Sequence, residues 1–164
     1  MNVCVVFFSR SQKNTLLAGQ TIYASIPDSH PKEIVSISAL TEKQKTRWLD
    51  LHPKIKISLV ATKTDLSAFD FVFFGCTVEG MAPKRKVPDE MLAYLRECRG
   101  IEGKKAAIFL PAFGVAGTVG QKIESVLQTR NVKVVDTLVL PYLISLSKEQ
   151  LEQAKAFAQK ALQK

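Results

Sequence analysis

The sequence predicts an α/β protein in which a parallel sheet is covered by helices on both faces. Four short apolar runs are continuous instead of alternating with polar residues, which is typical of strands buried on both faces. Between the runs, apolar residues recur at three- or four-residue spacing, which is typical of amphipathic helices. This alternation predicts right-handed crossovers and a doubly wound, three-layer sandwich. A length of 164 residues suits one domain, so we expect a single domain over residues 1–164.

The strands follow from the apolar runs. The first run reads VCVVFF and is made of β-branched and aromatic residues together with Cys4. We predict fully buried strands at residues 3–8, 71–75, 106–110 and 132–140, and a weaker fifth strand at residues 33–38. Leu110 and Pro111 are expected to end their strand sharply.

The helices follow from the spacing of apolar residues and from their start signals. We predict helices over residues 15–25, 88–98, 118–129 and 147–162, and a short helix from Thr41 through Leu51. Ser or Thr followed three residues later by Gln predicts a capping box at Thr41, Thr118 and Ser147. Residues 54–60 are consistent either with an edge strand or with an extended connection.

The net charge of +8 raises the question of a nucleic-acid partner. The basic residues are spread along the chain, and the densest groups (residues 43–63 and 84–86) are not interleaved with aromatics as a base-stacking platform would be. We therefore expect no nucleic-acid partner. The charge is consistent with a solvated basic face, an acidic protein partner or an anionic ligand.

Cysteine usage and hydropathy exclude other classes. Cys4, Cys76 and Cys98 are far apart in sequence and form no C-x-x-C pair, so we expect neither a metal site nor a disulfide scaffold. No apolar run has the length of a membrane span, and the N-terminus does not read as a signal peptide. We expect no membrane association and a cytoplasmic location.

A polar stretch after the first strand has the composition of an anion site. Residues 9–15 read SRSQKNT and connect the strand to the first helix. A helix start offers unpaired N–H groups and a positive dipole end, and Arg10 and Lys13 add charge. An N-capped helix without a ligand explains the same residues, and both interpretations stay open at this point.

Three passages of the chain together resemble the flavodoxin family. Residues 8–15 are similar to the phosphate loop of that family. Residues 65–77 are similar to the approach to its third strand and continue into a loop at residues 78–83. Residues 103–109 lead into a similar loop at Phe113 and Gly114. The resemblance covers nearly the whole chain except residues 41–59. It implies a five-stranded parallel sheet of order 2-1-3-4-5 that binds flavin mononucleotide (FMN) without a covalent bond.

The resemblance also implies which residues hold the cofactor. The phosphate would be held by Ser9, Arg10, Ser11, Lys13, Asn14 and Thr15. One side of the isoalloxazine ring would be bordered by Thr77, Val78, Glu79, Gly80 and Met81. The other side would be bordered by Ala112, Phe113, Gly114 and Gly117. Glu79 is the candidate for a charge near the ring. No residue is assigned to catalysis, because the flavin supplies the redox chemistry.

Three functions are consistent with this resemblance. The first is an FMN-binding protein that takes part in electron transfer with an acidic redox partner. The second is a reductase of FMN or a quinone that uses NAD(P)H, because a basic surface suits an anionic nicotinamide cofactor. The third is a flavodoxin-like scaffold that has lost FMN, because Gln12 and Lys13 replace a turn-forming glycine of the family. Whether the chain is an enzyme, here an FMN-dependent oxidoreductase, stays open, as does the choice between monomer and homodimer.

Overall fold

A computed structural model describes residues 1–9, 13–37 and 65–164. These residues form five strands and four helices. In chain order they are β1 (Val3–Phe8), α1 (Lys13–Ser25), β2 (Lys32–Ser36), β3 (Phe71–Cys76), α2 (Asp89–Glu97), β4 (Lys105–Phe113), α3 (Val119–Thr129), β5 (Lys133–Tyr142) and α4 (Lys148–Leu162). The short helix predicted from Thr41 and the alternatives for residues 54–60 lie outside the described residues.

The five strands form one parallel sheet in the order β2-β1-β3-β4-β5, which confirms the predicted topology. Val3 of β1 is in register with Lys32 of β2 on one side and with Phe71 of β3 on the other. The direction of winding changes between β1 and β3, because β2 lies outside β1 and all later strands lie beyond β3. Such a switch point opens a crevice at the carboxyl ends of the strands.

Helices cover both faces of the sheet, as predicted. On one face, Leu16 and Ile22 of α1 and Phe157 of α4 are buried against β1 and β3. The rings of Phe73 and Phe157 lie 5.9 Å apart between centroids in an edge-on arrangement. On the other face, Met91 of α2 and other apolar residues of α2 and α3 pack against the sheet. Two apolar layers therefore fix the sheet between the helices.

The prediction that β4 ends at Leu110 and Pro111 is wrong. The strand continues to Phe113, and Pro111 pairs with Leu140 of β5. The pairing of β4 with β3 stops at Gly75 and Phe109, so Pro111 has a strand neighbour on one side only. A proline, which lacks an N–H, is tolerated where the missing donor faces an open edge.

The prediction that β5 is fully buried is also wrong. Only Leu140 and Tyr142 of this strand are buried, whereas the residues before them are half-buried or exposed. The strand lies at one edge of the sheet, next to β4 alone. Its apolar run has the composition of a central strand, but its position at the edge leaves much of it in contact with solvent.

The helix starts agree with prediction at one site and differ at another. Ser147 caps α4 in the predicted capping box, in which its Oγ accepts from the Gln150 N–H and the Gln150 side chain accepts from the Ser147 N–H. Thr118 precedes α3 but its side chain makes no capping hydrogen bond, so that predicted box is wrong. The backbone of Thr118 has φ −90° and ψ 11°, which differs from the extended backbone of a typical N-cap. The box predicted at Thr41 lies outside the described residues.

Within the described ranges, every helix is too short or too polar to cross a bilayer.

Candidate functional site

The candidate site lies at the carboxyl edge of the sheet, where the segments after β1, β3, β4 and β5 meet. All strands are parallel, so their carboxyl ends lie at the same edge. The switch between β1 and β3 places the start of α1 beside the loop that follows β3. The sequence predicts site residues in three of these segments, and the structure shows how they are arranged.

Helix α1 begins at Lys13, which is earlier than predicted. Lys13, Asn14 and Thr15 therefore lie in its first turn and not in the loop before it. The first N–H groups of a helix have no partner within it and carry the positive end of the dipole. Ser9 is buried directly after β1, whereas Lys13 is exposed. Arg10 and Ser11 lie outside the described residues, so their predicted roles stay predictions.

Thr15 and Thr77 connect this first turn to the end of β3. Their Oγ1 atoms are 2.9 Å apart, and both side chains are buried. A hydroxyl donates one hydrogen, so a shared hydrogen bond leaves the hydrogen of the accepting hydroxyl for another acceptor. The two threonines therefore keep one hydroxyl hydrogen at the contact between the first turn of α1 and the end of β3.

Asn14 uses both ends of its amide to hold the segment after β5. Its Nδ2 donates to the carbonyl oxygen of Ile144 (3.3 Å), and its Oδ1 accepts from the N–H of Leu146 (3.1 Å). These bonds give the Asn14 side chain a structural role between α1 and α4. The predicted contact of Asn14 with a phosphate is not tested by them and stays a prediction.

The loop after β3 is a closed hairpin. Glu79 and Lys86 exchange two backbone hydrogen bonds of 3.0 and 3.1 Å, and their side chains form an ion pair of 3.8 Å. Gly80 has φ +78°, and a Cβ at this position would lie 2.5 Å from the carbonyl oxygen of Lys84. Only glycine fits this turn without strain. The hairpin exposes the side chain of Met81 almost completely.

The segment after β4 contributes one exposed ring. Phe113 is 54% exposed, and its ring lies edge-on to Tyr142 with 6.4 Å between centroids. The N–H of Gly114 donates to the carbonyl oxygen of Tyr142 (3.0 Å), which fixes the turn after the strand. Ala112 is completely buried within β4. Of these residues, Phe113 is the one that presents a flat apolar surface.

A cleft of about 650 Å³ lies between these two segments. It is lined by Val78, Glu79, Gly80, Met81, Ala82, Arg85, Lys86 and Phe113. The structure therefore brings together the predicted residues 78–81 and Phe113. The other predicted ring residues, Thr77, Ala112, Gly114 and Gly117, do not line the cleft.

Sequence reasoning assigned no cofactor role to Arg85, although this residue contacts both sides of the cleft. Its Nη1 donates to the carbonyl oxygen of Gly80, and its Nη2 donates to the carbonyl oxygen of Phe113. The sequence shows Arg85 only as the centre of a basic tripeptide after the predicted ring loop. That position is the one signal that pointed to it.

Cys76 ends β3 next to the cleft but has no nucleophilic character. Burial, with a smaller contribution from the Glu79 carboxylate, raises the pKa of the Cys76 thiol to about 12. The thiol is therefore protonated at neutral pH, and a protonated thiol is a poor nucleophile and metal ligand. Within residues 1–9, 13–37 and 65–164, no group of His, Cys, Asp or Glu side chains could hold a metal ion.

Comparison with solved structures identifies the fold. The chain matches flavodoxin 1 of Bacillus cereus with a TM-score of 0.67 and 22% identity, covering 99% of this chain and 98% of that one. It matches a Streptococcus pneumoniae flavodoxin with a TM-score of 0.66 and 14% identity, covering 99% of both chains. It also matches rubredoxin oxygen:oxidoreductase of Desulfovibrio gigas (TM-score 0.64, 12% identity), covering 99% of this chain and 35% of that one.

No protein-family model and no curated protein matches the sequence. The structural matches, together with the strand order and the site at the switch point, define a doubly wound α/β protein with a crevice at its carboxyl edge. More specifically, the fold is flavodoxin-like, and the predicted fold is confirmed.

Proposed function

We propose that this protein binds FMN without a covalent bond and takes part in electron transfer. The observation that carries the proposal is the hydrogen bond between Thr15 and Thr77, which joins the start of α1 to the segment that borders the cleft. The helix start that we propose for a phosphate and the cleft that we propose for a ring are thus neighbours at one switch point. FMN has the matching parts, a phosphate and a planar ring.

The donors around the start of α1 fit a phosphate. The first turn of α1 supplies backbone N–H groups, and the pair of Thr15 and Thr77 supplies a hydroxyl hydrogen. Lys13 adds a positive charge on the exposed side of the same turn. Anions bind favourably at such helix starts because the N–H groups and the helix dipole both favour negative charge.

The cleft fits a ring. Its volume of about 650 Å³ lies in the usual range of small-molecule sites. Phe113 offers an aromatic face or edge, and Gly80 lets backbone approach a flat ligand closely. When bound, FMN would supply the electron transfer itself, and the residues of the cleft would position the ring and tune its electronics.

An acidic redox protein is the partner that the surface favours. Exposed apolar side chains stand on three segments of the carboxyl edge, namely Met81, Phe113, Val115, Leu143 and Ile144. The exposed Lys84 and Lys86 lie beside them. An apolar patch with a basic rim is complementary to an apolar patch with an acidic rim. A reductase that uses NAD(P)H is not favoured by a specific contact in the structure.

The test is a titration of flavin-free protein with FMN and with riboflavin, which lacks the phosphate. Binding should quench the fluorescence of both flavins, and bound flavin should absorb at about 370 and 450 nm. FMN should bind at least about tenfold more tightly, since a hydrogen bond to a charged group contributes about 1.5–3 kcal/mol. Mixing the loaded protein with NADPH distinguishes an electron carrier, which does not oxidise the nicotinamide, from a reductase.

Thr15→Val provides the variant and Thr21→Val the matched control. Thr21 lies two turns further along α1, and its hydroxyl donates to the Leu17 carbonyl within the helix (2.8 Å). Thr15→Val should weaken binding of FMN more than binding of riboflavin, and Thr21→Val should change neither. The proposal is wrong if the folded wild-type protein binds neither flavin.

A further inference from the structure

Arg85 is a bridge between the two sides of the cleft. Its guanidinium donates to Gly80, in the hairpin after β3, and to Phe113, at the end of β4. A guanidinium is planar and holds its donors in fixed directions. One side chain therefore fixes the separation of the two segments that would border a ring.

Gly117 packs closely against the stem of Arg85. A Cβ at position 117 would lie 3.3 Å from Cβ of Arg85 and 3.5 Å from its Cγ. The first of these distances is tighter than most real contacts of a Cβ atom, so a side chain at 117 would press on the stem of Arg85 by a few tenths of an ångström. Gly117 therefore bears on the cleft through Arg85, although it does not line the cleft.

The charge of Arg85 is not neutralised by a carboxylate within the described ranges. Both of its side-chain hydrogen bonds go to neutral carbonyl groups, and its buried Nε has no acceptor among the described residues. The carboxylate in the cleft, that of Glu79, pairs with Lys86. The lining of the cleft thus holds one positive charge in excess, on a side chain that hydrogen bonds keep in place.

We infer that Arg85 favours the reduced form of a flavin bound in this cleft, an inference that rests on the proposed function. Reduction by an external two-electron donor adds two electrons and one proton to the ring. Above neutral pH, the reduced ring therefore carries one negative charge more than the oxidised ring. A fixed positive charge in a partly enclosed cleft attracts this charge more strongly than bulk water does. Arg85 thereby strengthens binding of reduced FMN relative to oxidised FMN and raises the midpoint potential.

The experiment measures the dissociation constant of oxidised FMN and the two-electron midpoint potential at pH 8, by dithionite titration with a reference dye. Arg85→Gln removes the charge, and Arg85→Lys keeps a charge without the planar fork. Lys84→Gln is the matched control, since it removes an exposed positive charge from the same hairpin. Circular dichroism melting shows that each variant is folded.

Arg85→Gln should weaken the binding of reduced FMN about tenfold relative to the binding of oxidised FMN. For a two-electron couple, this change lowers the midpoint potential by about 30 mV. Arg85→Lys should retain most of the wild-type preference. Lys84→Gln should change the ratio of the dissociation constants of oxidised and reduced FMN less than about twofold, because solvent and salt screen an exposed charge. In the flavin-free protein, Arg85→Gln should also speed amide exchange in residues 79–86.

Two negative results have different meanings. If wild-type protein binds no FMN, the proposed function fails and this inference falls with it. If wild-type protein binds FMN but Arg85→Gln leaves the ratio unchanged, or Lys84→Gln changes it equally, the role of Arg85 is disproved and the proposed function stands.

Discussion

Thr15 Oγ1 and Thr77 Oγ1 lie 2.9 Å apart in the interior of the protein, although 62 residues separate them in sequence. Each hydroxyl is the hydrogen-bond partner of the other, so removal of one leaves the other buried without it. We predict that Thr15→Val or Thr77→Val lowers the free energy of unfolding by about 1–3 kcal/mol. The double variant should lose less free energy of unfolding than the two single variants together, because it leaves neither hydroxyl buried without its partner. Urea denaturation of the four proteins measures this coupling, and strictly additive effects would contradict it.

Gly75 of β3 has no room for a side chain. A Cβ there would lie 2.1 Å from the ring of Phe109, which is completely buried. We predict that Gly75→Ala lowers stability by at least about 1–3 kcal/mol through overpacking. Gly19→Ala is the control, since its Cβ would meet Phe7 at 3.4 Å, and alanine favours a helix by about 0.5–1 kcal/mol. Thermal melting should give opposite signs, and Phe109→Leu should recover part of the loss in Gly75→Ala.

The Cys76 thiol should make stability fall at alkaline pH. Burial raises its pKa to about 12 in the folded protein, whereas the pKa of a cysteine in an unfolded chain is about 8.5. Between these values the unfolded chain releases a proton that the folded protein keeps, so unfolding becomes easier as pH rises. From pH 7 to pH 10, the free energy of unfolding of the wild type should fall by about 1–2 kcal/mol relative to that of Cys76→Ala. A constant difference across this range would show that the thiol titrates normally.

All three described cysteines should resist thiol reagents in the folded protein. Cys4, Cys76 and Cys98 are buried, and none of the three is in a disulfide. A thiol reacts as an exposed thiolate, and burial disfavours both requirements. At pH 8, Ellman's reagent should label them only at the rate of unfolding, and urea should release all three. Rapid labelling of one thiol in native buffer would indicate that its strand or helix opens locally.

Asn14 should be needed for the segment between β5 and α4. Asn14→Ala removes the bonds to Ile144 and Leu146, and we expect a loss of about 1–3 kcal/mol because the partners are part-buried or buried. Asn14→Asp keeps the acceptor for the Leu146 N–H but turns a carboxylate oxygen toward the Ile144 carbonyl oxygen, so it should also lower stability at neutral pH. Urea denaturation measures both losses. An unchanged free energy of unfolding in Asn14→Ala would mean that the two bonds contribute nothing.

Much of the fold could be predicted because burial on both faces leaves a local pattern. The runs in β1 and β3 are apolar at every position, and both strands are completely buried. The same pattern was misleading for β5, whose run is apolar but whose position at the sheet edge leaves it partly exposed. Pro111 likewise indicated a strand end. The sequence does not show that β3 stops pairing with β4 at Phe109, which leaves Pro111 beside an open edge where a strand tolerates proline.

The structure shows how the predicted site residues are arranged, but it does not test their contact with a cofactor. Residues 78–81 and Phe113 meet in one cleft, and their predicted role beside a flavin ring stays a prediction. The bridge by Arg85 was missed, since an arginine between two lysines has the pattern of a solvated loop. Its role depends on the hairpin that pairs Glu79 with Lys86 and turns Arg85 toward Phe113.

The sequence by itself determined the alternation of strands and helices, the buried β1 and β3, and a polar segment at the start of α1. These features depend on residues close together in the chain, whose spacing reflects the periodicity of each element. Only the tertiary structure decided that Thr15 meets Thr77 and that Arg85 joins Gly80 to Phe113. Such contacts depend on strand order and register, and these arise from packing between distant segments that local periodicity does not encode.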